Sequence, residues 1–110
     1  MLIKRNGNTV ELTSIDGDFR WSDVFTEPHF TSGIPINFIL FDPGAASEEA
    51  NLYHGDDANA PRCFTSVATN ANDQRVLRFH GAVKELFLDY SKGTYANAGT
   101  AIIIELMPIY

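Results

Sequence analysis

Turn-forming residues interrupt this chain so often that little room is left for a helix of ordinary length. Asn6-Gly7-Asn8, Asp16-Gly17-Asp18, Asp42-Pro43-Gly44, His54 to Pro61, Asn70 to Gln74 and Ser91 to Gly99 all read as turns or loops. Between them lie short runs that alternate apolar and polar residues, or are apolar throughout, as strands do. Leu2 to Lys4 and Val10 to Thr13 flank the first turn as a hairpin. Phe19 and Trp21 follow the second. Ile34 to Phe41 predicts a long apolar strand and Leu52 with Tyr53 a short one. Arg62 to Thr69 is expected to form a hairpin with Arg75 to His80. Val83 to Tyr90 and Thr100 to Met107 complete the set, Pro108 blocking extension of the last. The helix formers of Ala45 to Leu52 predict one short helix after Pro43-Gly44. About seven to nine strands at spacings of about 8–12 residues predict an all-β chain, a β-sandwich of jelly-roll type with at most that one helix.

A chain of 110 residues holds one such domain, spanning 1–110. Its 45% hydrophobic and 20% charged residues fit a packed globule and not a disordered tail. Apolar runs such as Ala101 to Ile104 stop far short of the ~20 residues of a membrane span. No basic start followed by an apolar stretch marks a secretory signal, so neither membrane nor export is expected. Asp and Glu total 14 against 8 Lys and Arg, a formal net charge of −6. That sign is wrong for tracking phosphates, and no nucleic-acid partner is expected.

The three histidines, His29, His54 and His80, are too far apart for a local ligand motif, and no zinc spacing occurs. Cys63, the single cysteine, sits in a strand between Arg62 and Phe64 and reads as a small buried hydrophobe. No nucleophile elbow, phosphate loop or dinucleotide fingerprint is present, so no catalytic residue, metal or cofactor is assigned. The acidic turns Asp16-Gly17-Asp18 and Asp56-Asp57 could offer oxygens to calcium but lack EF-hand spacing, and Asp favours turns for its own geometry. Carboxylates brought together by folding would leave a hydrolase reading open. Trp21, Phe30, Tyr53 and Tyr95 lie near loops; Trp21, Tyr53 and Tyr95 are the candidate glycan contacts of an alternative reading, a carbohydrate- or receptor-binding module, although Trp21 suits a core position equally well.

The sharper signal is apolar character on both faces of single strands. In Ile36 to Phe41, alternation sets Ile36, Phe38 and Leu40 against Ile39 and Phe41. In Val83 to Leu88, Leu86 and Leu88 oppose Val83 and Phe87, and Ala101 to Met107 is apolar on both sides for nearly its whole length. A two-sheet sandwich has one interior, so the second faces need cover. Another chain would supply it, and Ile39, Phe41, Val83 and Phe87 are the interface candidates. A β-bulge that turns these side chains inward is the other explanation.

The succession Phe41-Asp42-Pro43-Gly44-Ala45-Ala46, a loop with Gly55 and Pro61, Phe79-His80-Gly81, Leu86-Phe87-Leu88-Asp89-Tyr90 and Gly99-Thr100-Ala101-Ile102-Ile103-Ile104 resembles small all-β structural proteins of tailed bacteriophages. The likeness runs over Ile34 to Leu106. It implies a non-enzymatic virion protein, a capsid decoration or cement protein or a tail or fibre component, assembled in the host cytoplasm. The partners it implies are further copies of the chain, as trimers, and a major capsid or other virion protein. It brings no catalytic residues.

Overall fold

The hairpin predicted by Asn6-Gly7-Asn8 is present. In the computed structural model, β1 (Leu2–Asn6) and β2 (Thr9–Thr13) pair antiparallel, with Asn6 opposite Thr9. Gly7 takes φ +60° as the first residue of the two-residue loop, the position that glycine fills in a type II′ turn. The structure describes residues 1–24, 34–55, 57, 59–83, 85–90 and 100–107, apart from the side chains of Ile34, Cys63 and residues 79–83. The remaining strands are β3 (Phe19–Arg20), β4 (Ile34–Asp42), β5 (Glu49–Tyr53), β6 (Arg62–Val67), β7 (Arg75–Val83), β8 (Phe87–Leu88) and β9 (Ala101–Leu106). A 3-10 turn, Trp21–Asp23, follows β3. Among the described residues no helix is long and apolar enough to cross a membrane.

The pairing is nested. β5 pairs with β6, β4 with β7, β3 with β8 and β2 with β9, all antiparallel. The chain therefore doubles back on itself as one long hairpin, and that hairpin is rolled so that β4 also meets β9 and β5 meets β8. The result is a five-stranded sheet, β1-β2-β9-β4-β7, and a four-stranded sheet, β3-β8-β5-β6. This is the jelly-roll order with β1 added at one edge. One core cluster draws side chains from both sheets: Val10, Leu12, Ile39, Phe41, Ile102 and Ile104 from one, and Phe19, Leu52, Phe64 and Leu88 from the other.

Two local expectations fail. Arg62 to Thr69 and Arg75 to His80 are not hairpin partners, because β6 and β7 lie at the edges of different sheets. The turn between them crosses the sandwich: Asn72, at φ 61°, donates its N–H to the Pro43 carbonyl (2.8 Å). The Asp73 carboxylate accepts from Thr69 Oγ1 (2.6 Å) and Arg75 Nη2 (2.8 Å). Nor is Ala45 to Leu52 a helix. Glu48 Oε1 accepts the backbone N–H groups of Gly44 (2.5 Å) and Ala45 (3.2 Å), Ser47 sits at φ 69°, and the chain runs into β5. Helix propensity amounts to a few tenths of a kcal/mol per residue, and strand pairing on both sides of β5 outweighs it.

The doubly apolar strands sort into a fully buried inward face and a half-buried outward one. In β4 the register shifts between Ile36 and Phe38, and Asn37 is the extra residue opposite β9. The bulge turns Ile36 to the same side as Ile39 and Phe41, and all three are fully buried. Phe38 and Leu40 face outward, half-buried. β9 alternates strictly: Ile102, Ile104 and Leu106 point inward, and Ala101, Ile103 and Glu105 outward. Ile39 and Phe41, nominated above as interface residues, are thus core residues, and the bulge is the reason.

Buried polar groups are held by the same elements. Glu48 is 2% exposed, and Thr100 Oγ1 lies 2.7 Å from both of its carboxylate oxygens, tying the start of β9 to the β4–β5 turn. The Glu48 carbonyl accepts from Ala68 N–H (2.8 Å), which binds the turn to the end of β6.

Ile39→Ala should cost about 2–5 kcal/mol, whereas Leu40→Ala, one residue along on the outer face, should cost about 1 kcal/mol; urea denaturation of both variants checks the register. Glu48→Ala should cost about 2–4 kcal/mol by stripping the turn and Thr100 of their acceptor, seen as a lower denaturation midpoint at unchanged slope. The Thr69 hydroxyl and, next, the Arg75 guanidinium hold the Asp73 carboxyl below the usual carboxylate range. A depressed folded value adds stability that is present above the unfolded pKa of about 3.9 and is lost as pH falls through the folded value. Thr69→Val should therefore move the Asp73 titration upward by NMR, and Asp73→Asn should flatten that part of the stability curve.

Candidate interaction face

With the inward side chains accounted for, the outer face of the five-stranded sheet carries a contiguous set of apolar groups that remain partly open. Register assembles it. Leu40 on β4 stands opposite Ile103 on β9 and Val76 on β7, a rank of apolar side chains across neighbouring strands. Phe38 stands beside that rank, opposite Glu105 and Arg78. Val76 is 50% exposed, and Phe38, Leu40 and Ile103 are half-buried. No described element lies over them.

Charges of opposite sign border the rank. On the β7 side the Arg78 guanidinium lies 5.9 Å from the centre of the Phe38 ring, within cation–π range. On the other side, Glu11 is opposite Ile103, and Glu105 accepts from Asn37 Nδ2 (3.3 Å). Beyond Glu11 the face continues into a shallow groove lined by Lys4, Asn6, Thr9 and Glu11. Such a surface offers non-directional apolar attraction in the middle and charge pairing at the margins, the pattern of a protein contact.

The outer face of the four-stranded sheet is different. Its register aligns Arg20, Phe87, Tyr53 and Arg62 across β3, β8, β5 and β6. The Arg20 guanidinium covers Phe87 at 4.8 Å from the ring centre, and Tyr53 packs against Phe87 with ring centres 6.4 Å apart. Both rings are nearly enclosed, Phe87 at 4% and Tyr53 at 6% exposure. Beside them the buried Asn51 side chain accepts from Thr65 Oγ1 (2.9 Å) and Arg62 Nη1 (3.4 Å).

The residues nominated from sequence therefore separate. Phe87 and Tyr53 come together, but neither presents a ring face. Trp21 is fully buried, edge-on to Phe19 at 6.5 Å, and its backbone N–H donates to the Leu86 carbonyl (2.9 Å), so it is a core residue and no sugar platform. The Val83 side chain, Tyr95, Phe30 and His29 lie outside the described residues, as do the Cys63 and His80 side chains. The acidic turns hold the chain: Asp18 Oδ1 accepts from Tyr90 N–H (2.9 Å), and Asp57 Oδ1 from Asn59 N–H (2.9 Å). Asp16 accepts from the Met1 ammonium, whose hydrogen bond and charge hold its carboxyl below the usual range. Among the described residues no group of His, Cys, Asp and Glu gathers to hold a metal ion.

Sequence reasoning missed the open rank because uninterrupted alternation put Phe38 and Leu40 on the face of Ile36. Asn37, a polar residue in an apolar run, was the available sign of a bulge. Comparison of the chain with protein-family models, with curated proteins and with solved structures found no match in any of the three.

Proposed function

We propose that this chain is a non-enzymatic structural protein that works by protein–protein contact, and that its setting is a virion, as a capsid decoration or cement protein. The observation that carries the contact is the rank Ile103–Leu40–Val76, with Phe38 beside it, in which apolar side chains of three neighbouring strands line up on one outer face. The virion setting rests on the resemblance of the Ile34 to Leu106 succession to phage structural proteins. A jelly roll suits that work, because both sheets close on one core and the outward faces are left for neighbours. The contact proposed here does not use Ile39, Phe41 or Phe87, which the chain itself buries.

A closed symmetric assembly, for which the resemblance favours three copies, would cover the rank. The alternative of a sugar-binding module needs open ring faces, and Trp21 and Tyr53 do not provide them.

Light scattering coupled to size exclusion should give a mass above that of one chain, and Leu40→Glu/Val76→Glu should return it to one chain with the β-rich circular dichroism spectrum retained. A clean monomer at high concentration would overturn the self-assembly. Fractionation of particles with their shell protein tests the virion setting separately.

A further inference from the structure

Among the described residues, the basic side chains lie at the margins of the sheets. Every lysine and arginine among the described residues lies on an edge strand: Lys4 and Arg5 on β1, Arg75 and Arg78 on β7, Arg20 on β3 and Arg62 on β6. The inner strands carry Glu11, Asp42, Glu49 and Glu105 and no cation, in a chain whose formal net charge is −6. An edge strand offers backbone hydrogen-bonding groups to any passing strand, and side-chain charge decides which strand is admitted.

Of these edges, β1 is the one built to receive. All five of its residues are exposed. The other edges turn residues inward: β3 buries Phe19, β6 buries Phe64, and β7 half-buries Leu77. No described residue pairs with the outer side of β1. Asn6 and Thr9 close the two-residue loop, so the hydrogen-bonded pairs of the hairpin fall at Asn6, Lys4 and Leu2, and Ile3 directs its N–H and C=O to the open edge. Leu2 (56% exposed) and Ile3 (39%) flank that edge on opposite faces, giving apolar contact to alternating side chains of an added strand.

We propose that β1 docks an extended, acidic segment of a partner protein, which joins the five-stranded sheet as a further strand. A second copy of this chain is the wrong occupant. Antiparallel pairing of β1 with its own copy brings two basic strands together: a register centred on Lys4 sets that residue against itself, and one centred on Arg5 does the same to Arg5. Like charges directly opposite are destabilising, and opposite charges are favourable. An acidic strand that alternates with apolar residues sets its acidic side chains on the face of Lys4 and its apolar ones on the face of Ile3. This docking is separate from the outer-face contact and stands or falls independently of it.

The test uses the whole chain and a fluorescein-labelled peptide of about ten residues alternating Glu and Val, with a Lys–Val counterpart. Saturable anisotropy with the Glu–Val peptide, weakening with added salt, is expected, together with exchange protection of the Ile3 amide. Lys4→Glu should weaken Glu–Val binding about fivefold and strengthen Lys–Val binding. Ile3→Pro, which removes an outward N–H and no bond of the hairpin, should weaken both without unfolding the chain. No binding, equal binding of the two peptides, or protection on another strand would overturn the proposal. So would Ile3 protection that appears with rising protein concentration and no peptide, because the edge would then pair with itself.

Discussion

The structure depends on the alternation of β9 between its neighbours. Ile102, Ile104 and Leu106 project inward, opposite Phe41, Ile39 and Ile36 on β4, and Ile102 and Ile104 also oppose Leu12 and Val10 on β2. Full burial of each such side chain contributes about 1.5–3 kcal/mol. A one-residue slip of β9 would expose that row and bury Glu105 in its place. The bulge at Asn37 keeps Ile36 in register with this row although β4 would otherwise turn it outward. Every surface described here follows from that choice of inward side, since Phe38, Leu40 and Ile103 face outward only because their neighbours face in.

Polar groups then fix what apolar packing leaves free. Glu48 joins the β4–β5 turn to the start of β9 through Thr100, and its carbonyl binds the end of β6. A buried carboxylate is costly unless its oxygens are matched, and here several donors converge on it. Gly55 has a comparable role in the next loop: a Cβ there would lie 2.4 Å from that of Ala60, so only glycine lets the loop close under the bond from His54 N–H to the Pro61 carbonyl. These contacts are specific in direction, unlike the core, and they set how the connections leave the sheets.

Much of this architecture was legible in the residues. Asn6-Gly7-Asn8, Asp42-Pro43-Gly44 and the apolar run of Ala101 to Ile104 mark turns and strands through local chemistry alone, and strand number with spacing points to the sandwich. What local pattern cannot express is which sheet a strand joins. Arg62 to Val67 and Arg75 to Val83 look like a hairpin because a turn separates them, yet each finds its partner further back in the chain. The candidate site suffered for a related reason. Period-two counting is blind to an inserted residue, so it placed Phe38 and Leu40 with Ile36 and offered Ile39 and Phe41 as surface. Ala45 to Leu52 shows the same limit in a helix-forming composition overridden by one carboxylate and two flanking strands.

Nested pairing also has a kinetic side. The innermost pair, β5 with β6, joins segments close in sequence, but each pair outward closes a longer loop, until Thr9 meets Glu105. Closure of such loops costs entropy before the contacts repay it, which slows sheets of this kind relative to helical domains of equal size. On the ribosome, Val10 and Leu12 emerge well before Ile102 and Ile104, their partners on β9, and must wait for them. For that interval the first hairpin has no partner on its inward side, and Lys4 and Arg5 lie along its rim, where like charge disfavours edge-to-edge pairing of copies.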